Sequence, residues 1–328
     1  MLYYYALLYY NINLKQINTM KKIHLISTLI GLLAFSTISK ADLKVVTSIK
    51  PIHSLASYIM DGVGSPGLIV DGYNSPHNFQ LKPSHAKMLE QADIIFWVGE
   101  DLENFLEKPL DTIAKKAEKI ELLEIKGIKK LKFRERNIFE QHDDHGHDAK
   151  KEEHDDHEGH GHGEYDPHIW LDPINAKVIL SEITEHLIEN DSKNASTYKS
   201  NLAKALAEID KLIIDVITET NTDLSYVVFH DAYQYYENRF NVNILGAMTV
   251  NPDVMPGAEQ IHEIHEIIEH DNVSCILSEP QFNPDIIKSI AKDTNVKTGV
   301  LDPLGANLKP GKDLYFDLIR NMSASFNC

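Results

Sequence analysis

Seven histidines, His142, His145, His147, His154, His157, His160 and His162, crowd between Gln141 and Glu164, interleaved with Asp and Glu and with only Lys150 and Lys151 in between. Imidazole is the commonest borderline-soft ligand for divalent transition metals, so a tract this dense points to metal chemistry. The stretch has no apolar period and carries several glycines; it cannot bury a core and is expected to be a mobile loop over residues 141–164. A solvated linker would share its polarity, and so would a purification tag, but tags are terminal and uniform whereas this tract is internal and mixed. The next seven residues are different in kind. Tyr165-Asp166-Pro167-His168-Ile169-Trp170-Leu171 mixes apolar residues, a proline and one more histidine, so His168 is expected in ordered structure at the foot of the arm.

Other histidines and acids stand where a chain can present them. His77 lies in Asp71-Gly72-Tyr73-Asn74-Ser75-Pro76-His77, an irregular loop by its Gly, Asn and Pro content. His230 and Asp231 close the apolar run Tyr226-Val227-Val228-Phe229, and Asp302 closes the run that ends at Leu301. By contrast His53 and His85 fall at or within helical stretches and read as polar helix residues. His262, His265 and His270 sit on a Glu-rich helix and read as a solvated face.

The elements that must position these groups alternate. Strands are expected at Lys44–Ser48, Gly67–Val70, Asp93–Gly99 and Lys119–Leu123, with helices at Pro51, Pro83–Ala92 and Leu102–Lys116 between them. The near-continuous apolar run Ile94-Ile95-Phe96-Trp97-Val98 suits a strand covered on both faces. After a helix over Ile174–Glu189 comes one amphipathic stretch from Asn194 to Thr220, with Leu202, Leu206, Ile209, Leu212, Ile213 and Val216 at spacings of three and four. It reads as a single stiff spacer. Strands at Tyr226–Phe229, Val242–Met248, Ser274–Leu277 and Lys297–Leu301 then alternate with helices at Ala258–Glu269, Pro284–Lys292 and from Lys312. This pattern predicts an α/β protein of two lobes, each with a mostly parallel sheet flanked by helices, joined by one long rigid helix. The divisions are 42–191 for the first lobe with its arm, 192–221 for the linking helix and 222–328 for the second lobe. In such sheets ligands bind beyond the carboxyl ends of the strands, which is where His230 and Asp302 fall.

The front of the chain reads as a secretory signal peptide over residues 1–41. Met20-Lys21-Lys22 opens it, an apolar run from Ile23 to Ile38 follows, and Ser39-Lys40-Ala41 offers a cleavage point. Met20 is the better start. The run is too short and too polar for a membrane span. Removing it takes four lysines and no acid, moving the formal charge from −17 to −21. That balance disfavours nucleic acid and anionic membrane surfaces as partners, and suits a cation. Only Cys275 and Cys328 are present; in an oxidising compartment they could close a disulfide, and otherwise they are two unrelated thiols.

With these residues in view, the chain resembles the zinc-binding periplasmic component of bacterial ABC importers, over essentially all of 42–328. The carriers are Pro76-His77 with Leu81-Lys82-Pro83-Ser84, Ala92-Asp93-Ile94-Ile95-Phe96-Trp97-Val98-Gly99, the histidine-acid loop, His168-Ile169-Trp170-Leu171, Phe229-His230-Asp231-Ala232-Tyr233, Val250-Asn251-Pro252, Ser278-Glu279-Pro280-Gln281-Phe282 and Leu301-Asp302-Pro303-Leu304-Gly305. The resemblance implies that His77, His168 and His230 ligate Zn2+ in the cleft between the lobes, and that Cys275 and Cys328 pair. It implies a membrane permease and its ATPase as partners, a monomer in the periplasm with no direct membrane insertion, and no enzymatic role. At one point the chain departs from it: zinc-type members often carry an acid just before the first ligand histidine, where this chain has Pro76. Asp302 or a water is the expected fourth ligand. Three imidazoles leave one tetrahedral position open for zinc, while a manganese or iron importer is expected to present a carboxylate in place of His230. The seven arm histidines are expected to form a secondary, low-affinity metal site. An exported zinc hydrolase would also use three histidines and an open position, but His262-Glu263-Ile264-His265 has the wrong spacing for the two-histidine helix motif and no general base stands beside the candidate ligands. A periplasmic metal buffer relying on the arm is the remaining alternative.

Overall fold

The computed structural model describes residues 42–134, 138–139, 163–250, 252, 254 and 256–328. The expected signal peptide and the seven arm histidines lie outside these residues, as does Asn251. In the first lobe β1 (Val45–Ile49), β2 (Gly67–Val70), β3 (Ile94–Trp97) and β4 (Glu118–Glu121) form a parallel sheet in the order β2-β1-β3-β4. All five residues of β1 and all four of β3 are buried. This is what a central parallel strand covered by helices requires, and it explains the unbroken apolar reading of both segments. The covering helices are α1 (Lys50–Ile59), α2 (Pro83–Gln91) and α3 (Glu100–Thr112). Pro51 and Pro83 sit in the first turns of α1 and α2, where no intrahelical N–H is lost.

The second lobe repeats the plan. Its strands β5 (Ser225–His230), β6 (Asn243–Thr249), β7 (Cys275–Ser278) and β8 (Lys297–Val300) pair in parallel in the order β6-β5-β7-β8. Chain direction across each sheet therefore reverses at one place, between β1 and β3 in one lobe and between β5 and β7 in the other. The first lobe closes with α4 (Pro173–Asn190), and the linking helix α5 (Ala195–Glu219) follows, 25 residues long and entered through a 3-10 turn at Ser192–Asn194. At 1.5 Å per residue α5 spans about 37 Å. It is no free-standing spacer. It packs on α1 and α4 of the first lobe and on the last helix, α9 (Leu314–Ser325), of the second. Asn201 on α5 donates to the carbonyls of Ile59 and Asp61, both at 2.9 Å, fastening it where α1 ends. The second lobe is completed by α6 (Gln234–Phe240), α7 (Ala258–His270) and α8 (Asp285–Thr294).

One apolar cluster runs without a break from Val45 through the first lobe, along Tyr198, Ile209 and Val216 of α5, to Tyr226, Tyr315 and Phe326 of the second. A smaller cluster, including Phe229, Ile264 and Ile276, covers the other face of the second sheet under α7 and α8. Leu43–Cys328 accordingly behave as one compact unit. Polar clamps reinforce the join. Buried Lys50 donates from Nζ to the carbonyls of Gly305 (2.6 Å), Ala306 (3.0 Å) and Leu308 (2.6 Å), crossing from the first lobe to a loop of the second. Arg239 of α6 grips Asp172 with two bonds of 2.7 and 2.8 Å, and Asp172 caps α4 through Ile174 N. Cys275 on β7 and Cys328 form a disulfide that ties the C-terminus to the sheet.

The described residues on either side of the histidine arm are pinned. Lys132 and Tyr165 pair as an antiparallel bridge, and Asp166 N donates to Leu131 O at 2.8 Å. Further along, Ile138 bridges Gly246 on β6 and Phe139 N donates to Leu245 O at 2.9 Å. The chain thus leaves for the arm from the surface of the second lobe and returns to the start of the ordered His168 segment.

Candidate metal centre

Three imidazoles reach one point by three local devices. His77 rides the loop after β2, where Gly72 adopts a left-handed φ of 70° that a side chain would resist. His77 N donates to Ser75 Oγ at 3.3 Å, and the side chain is half-buried. His168 comes after Pro167; its N–H donates to Asp166 Oδ1 at 2.9 Å, and a 3-10 turn at Ile169–Leu171 follows directly. Trp170 in that turn donates to Pro303 O at 2.9 Å, docking it on the second lobe. His230 is the last residue of β5 and is 3% exposed. Ring centroids stand 5.6 Å apart for His77 and His168, 5.7 Å for His77 and His230, and 5.3 Å for His168 and His230. One nitrogen from each ring lies within 4.8 Å of the other two.

Two rings are oriented by carboxylates. Asp166 Oδ1 sits 2.7 Å from His168 Nδ1, and Glu279 Oε1 sits 2.6 Å from His230 Nδ1. Glu279 stands just beyond β7, so His230 and Glu279 flank the β5/β7 reversal, the place where open parallel sheets present ligands. A carboxylate on Nδ1 fixes the tautomer and leaves Nε2 to bind. The two Nε2 atoms face each other at 3.4 Å. Two nitrogens on a tetrahedral zinc at 2.0–2.1 Å would be about 3.3 Å apart, so the pair is spaced for that ion.

Burial and charge set the protonation. Burial pushes the His168 imidazole well below its ordinary range, with the His230 charge adding to the effect. For His230 burial pulls the same way but is outweighed by Glu279, helped by Asp231 and Asp166, and its pKa is raised. Burial lifts Asp166 to about 7 and Asp231 to about 6. Arg134 acts against this by donating to Asp231 Oδ1 at 2.9 Å and to Glu237 Oε2 at 2.5 Å, with its guanidinium over the Phe139 ring.

Of the sequence-based candidates, His77, His168 and His230 come together in a small pocket that Glu279, Gln281 and Phe282 also line. Asp302 does not line it. Its Oδ1 accepts from Gln281 Nε2 (2.9 Å), Leu304 N (3.1 Å) and Gly305 N (3.0 Å), and its Oδ2 from Ala306 N (2.6 Å). A carboxylate so occupied caps the loop, which weighs against Asp302 in the expected choice between Asp302 and a water as fourth ligand. Sequence reasoning passed over Asp166 and Glu279 as functional groups. The signals were there: an acid two residues before a candidate histidine, and an acid ending the strand beside β5. His53 lies within α1 and His85 caps α2 by accepting from Lys82 N, while His262 is exposed on α7 beside Glu266, as their helical settings suggested. Among the described residues one other group could hold a cation, Glu118, His186 and Glu189. There His186 stands between Glu118 at 2.8 Å and Glu182 at 3.2 Å, which ion pairing explains.

A two-lobed α/β scaffold, its parallel sheets bridged by a long packed helix and its imidazoles meeting between them, defines a metal-type solute-binding protein. Comparison with known proteins narrows the class. Residues 45–327 match the family described as zinc-uptake complex component A, periplasmic. The high-affinity zinc uptake system protein ZnuA of Brucella abortus is 45% identical over 301 residues, covering 86% of this chain and 90% of its own. Its counterpart from Yersinia pestis is 37% identical over 307 residues, covering 90% and 94%. The chain belongs to this family of periplasmic zinc-uptake components. At the level of fold, a crystal structure of ZnuA superposes with a TM-score of 0.69 at 21% identity, covering 87% of this chain and 100% of that one. The laminin-binding adhesin of Streptococcus agalactiae gives 0.70 at 22%, covering 87% and 98%.

Proposed function

We propose that this protein captures Zn2+ in the periplasm and delivers it to the permease of an ABC importer, whose ATPase drives uptake. The observation that carries the reading is the trio His77, His168 and His230, two of them backed by carboxylates and spaced for a tetrahedral ion. In this reading the three histidines are the ligands, and zinc is cargo held without chemistry. A hydrolytic role has little to support it, since the acids beside the site are committed to orienting imidazoles. Residues 1–41 serve as the export signal, and the mature monomer divides into a first lobe at 42–191, a linking helix at 192–221 and a second lobe at 222–328. The arm histidines form a weaker, separate site that gathers the ion.

Calorimetry on two variants tests this. His230→Ala is expected to lose tight zinc binding, because it removes one of three ligands and leaves Glu279 buried without its partner. Deleting residues 142–162 is expected to leave one tight zinc per chain while lowering the total bound. A deletion that abolished tight binding would put the site on the arm and refute the assignment.

A further inference from the structure

Two loops from opposite lobes line the pocket. Ser75, Pro76 and His77 come from the first lobe, Pro303 and Leu304 from the second. The same loops are stitched together at two other places. The inner stitch is buried Lys50, whose Nζ holds the carbonyls of Gly305, Ala306 and Leu308 and stands 3.8 Å from Asp71 Oδ1. The outer stitch is a single bond, donated by Tyr73 Oη to Asn307 Oδ1. Both of its residues are exposed, Tyr73 by 57%. A tight turn braces Tyr73: Asn74 Nδ2 donates to Asp71 O at 2.5 Å, and Gly72 N donates to Asp71 Oδ1 at 2.7 Å.

The three imidazoles are unequally held. His168 and His230 are buried, each with a carboxylate on Nδ1. His77 is half-buried and rides the loop itself, so the path between pocket and solvent runs past His77. The continuous core and the Lys50 clamp oppose a swing of whole lobes, and passage therefore falls to this loop.

We infer that Tyr73 and Asn307 latch the His77 loop and set the rate at which the ion enters and leaves. The inference rests on the zinc-binding reading of the trio and adds its kinetics. The two stitches differ as a gate requires. Lys50 is a buried charge satisfied by three carbonyls, and breaking it would strand that charge, so it stays as the hinge. The outer bond is neutral and within reach of water, which can replace either partner. It is the one that opens. Tyr73 does not line the pocket; it is a positioning residue that acts through the loop. Losing one such bond shifts opening by about twofold to tenfold.

The test follows zinc release from the full chain, loaded with one equivalent of Zn2+, by stopped flow into excess chromophoric chelator. Capture by the metal-free protein is followed with a zinc-sensitive dye. Tyr73→Phe is expected to release zinc about twofold to tenfold faster and to capture it faster by a similar factor, so affinity changes less than either rate. Asn307→Ala is expected to do the same, and the two together to add nothing further, because they break one bond. Asn307→Asp keeps an acceptor and is expected to restore the slow rates. Unchanged release from Tyr73→Phe overturns the inference. Faster release with unchanged capture also overturns it, since that marks a damaged cage, and so do additive effects of the two substitutions. If His77→Ala holds zinc as tightly as the unaltered protein, the reading of the trio itself fails instead.

Discussion

At the scale of single residues, the proposed zinc site is expected to trade protons for the metal ion. His230 is pushed up by the Glu279 charge and His168 is held down by burial, so protons are expected to compete with zinc first at His230. Zinc loading near neutral pH is therefore expected to release about one proton, measurable by calorimetry in buffers of different ionisation enthalpy. A raised His230 pKa means proton competition begins above the ordinary histidine value near 6.5, so zinc binding weakens as pH falls through that region. Glu279→Gln removes the charge that raises it. The acid limb should then move to lower pH while affinity at pH 8 drops about tenfold to a hundredfold. An unshifted acid limb would mean Glu279 is not the source. Much of this chemistry was legible in the sequence. His77, His168 and His230 stood out by loop and strand-end positions and by family resemblance. The role of Asp302 was not legible, because a strand-end acid can ligate or cap, and its partners are set by the tertiary path of residues 304–306.

At the scale of elements, alternating apolar runs and helical periods placed every strand to within about two residues. They missed α6. Its sequence Gln-Tyr-Tyr-Glu-Asn-Arg-Phe has modest helix propensity and is too short to stand alone. Tertiary bonds make it: Tyr235 Oη accepts from Leu131 N at 3.0 Å and donates to Asp166 O at 2.8 Å, and the Tyr236 ring stacks on Phe326. The start of α3 holds a second hidden feature. Buried Glu103 accepts from Val98 N at 2.9 Å and Gly99 N at 3.0 Å, and burial pushes its carboxyl up to about 7. The folded state thus holds a proton that the unfolded chain gives up near 4.5. Its contribution to stability is full below that value and is lost as pH rises through about 7. Glu103→Gln keeps the acceptor and should flatten this part of the stability–pH curve, costing about 1 kcal/mol or less at pH 5. Urea melts of both proteins between pH 4 and 8 check it.

At the scale of the whole molecule, the continuous core and the clamps from Lys50 and Arg239 leave little freedom for a hinge. Small closure is expected, and solution scattering curves with and without zinc should superimpose. The disulfide secures the far end. Joining residues 53 apart removes about 4 kcal/mol of chain entropy from the unfolded state. Cys275→Ser with Cys328→Ser should lower unfolding free energy by about 2–4 kcal/mol in denaturant melts without altering zinc stoichiometry, since the bond lies on β7 behind the site.

The anchors at Phe139, held on β6, and at Tyr165, paired with Lys132, carry a final corollary. Because both are fastened to the scaffold, length added between them adds reach without prying it apart. Doubling such an excursion costs only about 0.6 kcal/mol.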